Sequence, residues 1–137
     1  MALPNGGGGQ QLGAANLDEP FIGFIPAPIS LTATATLTAA QVANGLLLVN
    51  SGVTTQQTYT LPTVALLEAA LANTDRVGTS LQFRVVNLGT SSGTAVIAAG
   101  TGWTVSGSLT MTIPVTTGAL LIARKTGAGA WTLYRVA

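Results

Sequence analysis

Residues 30–38 alternate without a break: Leu31, Ala33, Ala35 and Leu37 fall on one side, Thr32, Thr34, Thr36 and Thr38 on the other. A period of two is the mark of a half-buried strand. At Thr38 the pattern changes to a short helical turn, with Thr38 placed to cap it and Asn44-Gly45 to end it. Further strands are expected at Leu46–Val49, Thr58–Leu61, Leu81–Leu88, Ala95–Ala99, Trp103–Val105, the alternating stretch Ser108–Ile113, Gly118–Lys125 and Ala130–Val136. One longer helix is expected, capped by Thr63 after Pro62, with Val64, Leu67 and Leu71 on one face and an end near Ala72. Gly100-Thr101-Gly102 and Thr126-Gly127-Ala128-Gly129 read as hairpin turns. No internal repeat of fixed period is evident. Short strands punctuated by glycine turns imply an all-β fold, a small antiparallel sandwich or barrel (jelly-roll-like) with one short helix and an extended N-terminal arm.

Two strands, Leu46–Val49 and Ala119–Ile122, are apolar on both faces. Both faces then need cover, and in a domain this small the second is expected to meet sister subunits. The chain divides into an arm, residues 1–29, and a body, residues 30–137. The run Gly6–Gly9 followed by Gln10 and Gln11 cannot bury enough apolar surface to offset its ordering entropy, so flexibility is expected there. Next, Phe21, Ile22, Phe24 and Ile25 sit among Pro20, Pro26 and Pro28, which forbid a regular helix. Such a stiffened apolar stretch suits docking onto another surface; it would also serve as a first strand of the domain's own sheet.

Composition narrows the chemistry. Charged residues are 7 % of 137, with five Lys+Arg against four Asp+Glu, while Thr and Ala each occur 21 times. Residues 20–67 and 85–123 carry no charge, yet Thr, Ser, Asn, Gln, Gly and Pro interrupt them too often for a membrane helix. With no Cys and no His, disulfide frameworks, thiolate catalysis, Ser-His-Asp chemistry and Cys- or His-ligated metal sites are excluded, and four carboxylates are few for a calcium site. A net charge of +1 gives no footprint for nucleic acid. The start Met1-Ala2-Leu3-Pro4-Asn5 has neither a basic nor an apolar leader segment, so no signal peptide is expected. The carboxylates are Asp18, Glu19, Glu68 and Asp75; no pattern makes a catalytic pair of them, and Glu68 and Asp75 read as solvated charges beside the helix. Arg124, Lys125 and Arg135 gather on the last hairpin near Trp131 and Tyr134, although Arg124 and Lys125 must face opposite ways. Trp103, Trp131, Arg124 and Arg135 are the candidates for a subunit-interface or surface-binding role, as aromatic anchors and as charges. No catalytic, cofactor or metal residue is expected, and no enzyme.

Five segments in order carry a resemblance: Leu37–Gly45, Tyr59–Thr63, Leu81–Asn87, Ala98–Trp103 and Arg124–Val136. Each is ordinary alone; together they resemble a small β-rich domain of virion proteins in tailed phages and some large DNA viruses, of the capsid decoration (cement) or head-fibre type. The resemblance covers about residues 31–137 and leaves out the arm, residues 1–29. It implies a decoration protein that binds the outer surface of a phage head as a homotrimer, contacts the major capsid protein and neighbouring cement subunits, and strengthens the shell non-covalently after synthesis in the host cytoplasm. Neither nucleic acid nor membrane is an expected partner. The arm residues Phe21, Ile22, Phe24, Ile25, Pro26 and Pro28 would supply the contact with the capsid or a neighbour. The other member type it implies is a head-fibre or tail-appendage module that binds a receptor or carbohydrate. The absence of a long shaft and tip favours the decoration protein.

Overall fold

The computed structural model describes residues 24–106 and 111–137. The chain runs β1 (Ile29–Leu31), β2 (Ala35–Thr36), α1 (Ala39–Ala43), β3 (Leu46–Val49), β4 (Gln57–Thr60), α2 (Val64–Ala70), β5 (Ser80–Asn87), β6 (Ala95–Ala98), β7 (Trp103–Ser106), β8 (Thr112–Ile113), β9 (Gly118–Gly127) and β10 (Ala130–Arg135). Two sheets form, one in the order β1-β3-β5-β9-β10-β7 and one in the order β2-β4-β6-β8. From β1 to β9, successive strands change sheet. Thus β1, β3 and β5 lie parallel in the large sheet, while β2, β4 and β6 lie parallel in the small one. Antiparallel pairs close the arrangement, β5 with β9, β9 with β10 and β6 with β8; β7 runs parallel to β10 at the edge.

The fold is therefore mixed α/β, with two mixed sheets and two short helices, and not an all-β antiparallel sandwich or barrel. The reason is the connections. Parallel neighbours need a long crossover. Here the crossovers from β1 to β3 and from β3 to β5 each contain a strand of the small sheet and a helix, β2 with α1 and then β4 with α2. Strand patterning marks which faces are buried but leaves the choice of partner open. The alternation at residues 30–38 persists into the structure, with Leu37 buried and Thr36 and Thr38 exposed, but it spans two strands in different sheets. The chain turns between them at Thr34, which donates its backbone N–H (2.8 Å) and its hydroxyl (2.9 Å) to the Gln57 side-chain oxygen.

Gly100-Thr101-Gly102 likewise makes no hairpin: β6 pairs with β8, and β7 with β10. The turn redirects the chain from the small sheet to the large one. Gly102, at φ +87°, sits where a Cβ would lie 2.9 Å from the Val64 side chain and 2.8 Å from the Gly129 carbonyl, so only glycine lets β7 approach this closely. The last hairpin forms as the sequence indicates, β9 against β10. Both helices begin at the expected threonines. Thr38 and Gln41 form a reciprocal capping box at α1, and the Thr63 hydroxyl accepts the Leu66 N–H at α2.

The helices and the small sheet lie on one face of the large sheet and share its core. Leu47, Val49, Phe83, Val85, Leu121 and Leu133 point inward from the large sheet, towards Val42, Tyr59, Leu61, Leu67 and Ile97. Each such side chain contributes roughly 1.5–3 kcal/mol before ordering costs.

A buried polar cluster fastens the turn from β3 to β4 and the turn from β5 to β6. Asn50 and Asn87 are fully buried. The Asn50 amide donates to the carbonyls of Gly93 (2.8 Å) and Thr94 (3.0 Å). The Asn87 amide lies within hydrogen-bond distance of the carbonyls of Gly93 (3.0 Å), Ile113 (2.9 Å) and Pro114 (3.1 Å), and its oxygen accepts the Gly89 N–H (2.9 Å). The Tyr59 hydroxyl donates to Asn50 Oδ1 at 2.6 Å, and burial pushes its pKa up, so it stays protonated as that donor. A Cβ at Gly93 would collide with the Val53 carbonyl, which fixes glycine at the point both amides reach.

Asn87→Leu is therefore expected to lower unfolding free energy by about 2–4 kcal/mol, since it strips several buried carbonyls of their donor. Urea unfolding followed by circular dichroism measures it, and a loss below about 1 kcal/mol would show that the cluster is not a fastening.

Candidate functional site

The most chemically distinctive cluster joins α2 to the last hairpin. With Val64 and Leu67 turned into the core, α2 presents Glu68 to β9 and β10. Glu68 Oε1 accepts from Lys125 Nζ at 2.6 Å and from Trp131 Nε1 at 2.9 Å. Lys125 and Trp131 are cross-strand partners, so one carboxylate oxygen serves both. The Lys125 side chain is 8 % exposed and that of Glu68 24 %. Trp103 pairs in register with Trp131, the ring centroids 6.0 Å apart and tilted by 50°, and its indole N–H donates to the Pro62 carbonyl at 2.7 Å. Both tryptophans are interior, and each indole N–H is tied to the α2 region.

Glu68 and Lys125 are therefore not solvated surface charges. No local pattern marks a carboxylate that will meet a lysine 57 residues away across the fold. The hydrogen bond from Lys125, then that from Trp131, holds the Glu68 carboxyl below the ordinary glutamate range. A carboxylate kept ionised by two donors is a poor proton donor at neutral pH. The other described carboxylate, Asp75, is exposed beyond α2. What this arrangement does is pin α2 against the hairpin.

A second feature lies on the opposite side of the large sheet. Leu46, Leu48, Val86, Leu120, Ile122 and Tyr134 project from its outer face and are only partly buried, because neither helix nor the small sheet covers them. This is the second apolar face anticipated for Leu46–Val49 and Ala119–Ile122. Gly118 lacks a side chain between them, leaving an open groove of about 240 Å³ lined by Arg84, Val86, Leu120 and Ala137 among others. Arg84 and Arg124 rise from the same face, both exposed, and neither side chain makes an ion pair or a hydrogen bond among the described residues.

The remaining candidates are scattered. Phe24, Ile25, Pro26 and Pro28 are exposed ahead of β1, with Phe24 at 87 % and Ile25 at 53 %; Phe21 and Ile22 lie outside the described residues. Arg135 is half-buried and donates to the Thr112 carbonyl at 2.9 Å, tying β10 to β8. Of the proposed surface residues, only Arg124 shares the outer face with the apolar stripe. Among the described residues no group of three or more His, Cys, Asp or Glu is placed to hold a metal, and no helix is long and apolar enough to cross a membrane.

Because its folded pKa is depressed, Glu68 contributes stability above its unfolded pKa of about 4.3, and this is lost as pH falls through the folded value. Acid titration of tryptophan fluorescence is expected to show a transition below pH of about 4.3 that Glu68→Gln removes. An unchanged titration in that variant would show that the contact does not govern the hairpin. No family model, no curated protein and no solved structure was found to match the chain.

Proposed function

We propose that this chain is a structural protein of a virion, a capsid decoration protein that binds the outside of a phage head as a trimer and stabilises the shell without covalent bonds. The observation that carries the reading is the uncovered apolar face of the large sheet, on a chain with so few charges. Partly buried leucine, valine and isoleucine across several strands leave surface that assembly would remove from water. The exposed Phe24 and Ile25 ahead of β1 add a separate sticky element. The resemblance of residues 31–137 to virion β-rich domains supplies the setting. In this mechanism the body docks between capsomers and the arms reach from one molecule to the next or into the major capsid protein. Three arms per trimer multiply modest contacts into strong attachment.

The alternative, a head-fibre or tail-appendage module for a receptor or carbohydrate, would call for aromatic faces open to a ligand. Trp103 and Trp131 are interior, which weighs against it. The test is reconstitution of purified full-length protein on heads of the virus that encodes it. The expected result is saturable binding at every capsomer junction and a higher temperature of shell disruption. Binding confined to a vertex or the tail, or clear hits on a glycan array, would overturn the reading in favour of the module.

A further inference from the structure

The arm and the outer face of the large sheet complement each other in two respects. The face joins an apolar stripe to two unpaired cations, Arg84 and Arg124, on neighbouring strands. Arg84 stands opposite Leu120 and Arg124 opposite Ser80, with Gln82 and Ile122 between them; no Asp or Glu side chain lies on this face among the described residues, where the terminal residue Ala137 lines the groove beside Arg84. Residues 18–25 carry the converse pattern: Asp18 and Glu19, then Phe21, Ile22, Phe24 and Ile25. Asp18 and Glu19 are two of the chain's four Asp and Glu residues, and they sit next to a cluster of four bulky apolar residues.

We propose that residues 18–25 of one copy lie across the outer face of the large sheet of a second copy. The carboxylates of Asp18 and Glu19 sit between Arg84 and Arg124, and the apolar residues that follow cover the stripe and the groove beside Gly118. An extended segment of eight residues reaches about 26 Å at roughly 3.3 Å per residue, enough to cross five strands spaced about 4.8 Å apart. The occupant is a second copy because the described lead-in of the same chain is not packed on this face. Ala27 is held by the Asn44 amide at 3.1 Å, and ahead of it Phe24 and Ile25 project into solvent instead of folding back over their own sheet. The covered apolar area and the paired charges would then be removed from water together, which is what gives such an exchange its specificity.

This inference rests on the proposed function only in taking copies of the chain to assemble, and it names which partner the arm engages. Its test needs no capsid. The sequence has no cysteine, so Glu19→Cys with Gln82→Cys introduces the only two thiols, and Gln82 is exposed on the outer face. Gentle oxidation of the purified full-length variant is expected to give chains linked in twos and threes on a non-reducing gel. Linkage should be several-fold weaker when Glu19→Cys is combined with Ala65→Cys, an exposed position on α2, and several-fold weaker again when Arg84→Glu and Arg124→Glu are added to the first pair. An internal disulfide within one chain, no linkage, or equal linkage at Ala65 would overturn the proposal. A failed cross-link would leave binding to heads intact, and failed binding to heads would leave the cross-link intact, so the two readings fall separately.

Discussion

The fold depends on keeping successive strands in different sheets. A chain that alternates between sheets must turn a corner after every strand, and each corner leaves backbone carbonyls inside that no ladder satisfies. Asn50 and Asn87 meet this need on two successive passes by converging on the Gly93 carbonyl. Asn50 adopts φ 60°, a left-handed conformation that asparagine tolerates, so one residue both makes the turn and supplies the donor. With the corners fixed, the pairing offset is the same in both sheets: Leu46 opposes Arg84 in one, and Gln57 opposes Ala95 in the other. The two passes are a structural repeat.

That layout has a one-sided consequence. Both helices and the whole small sheet cover the same face of the large sheet, and the Glu68 contact with Lys125 and Trp131 holds α2 there. The other face receives no layer among the described residues, yet its strands are as apolar outward as inward at β3 and in the middle of β9. A protein with nine charges in 137 residues has little polar surface with which to offset such exposure. The assembly proposed above is the physical complement of a sheet covered on one side only.

The elements themselves were legible from local chemistry. Thr38, Thr63, Asn44-Gly45 and the Leu46–Val49 run read correctly because caps, stops and short apolar runs act over a few residues. Sheet partnership was not legible: Gly100–Gly102 has hairpin composition but links two sheets, since what decides is the packing of Trp103 on Trp131 far along the chain. The repeat was hidden for a similar reason. Val49-Asn50-Ser51-Gly52 and Val86-Asn87-Leu88-Gly89 share a pattern, but the ladder sets Asn87 opposite Val49, one residue out of step, and the first pass is shorter. Glu68 was read as a solvated charge because nothing local distinguishes it from one; strand alternation did put Arg124 and Lys125 on opposite faces, but it did not indicate that Lys125 would be the buried one.

The central claim is that this chain is built to be covered by copies of itself. The absolute mass of the purified full-length protein by light scattering across a dilution series tests it most directly. One chain is 13.7 kDa. A stable mass three times that value, persisting on dilution, is expected. A monomer at every concentration would contradict it and leave the outer face of the large sheet without the partner assigned to it.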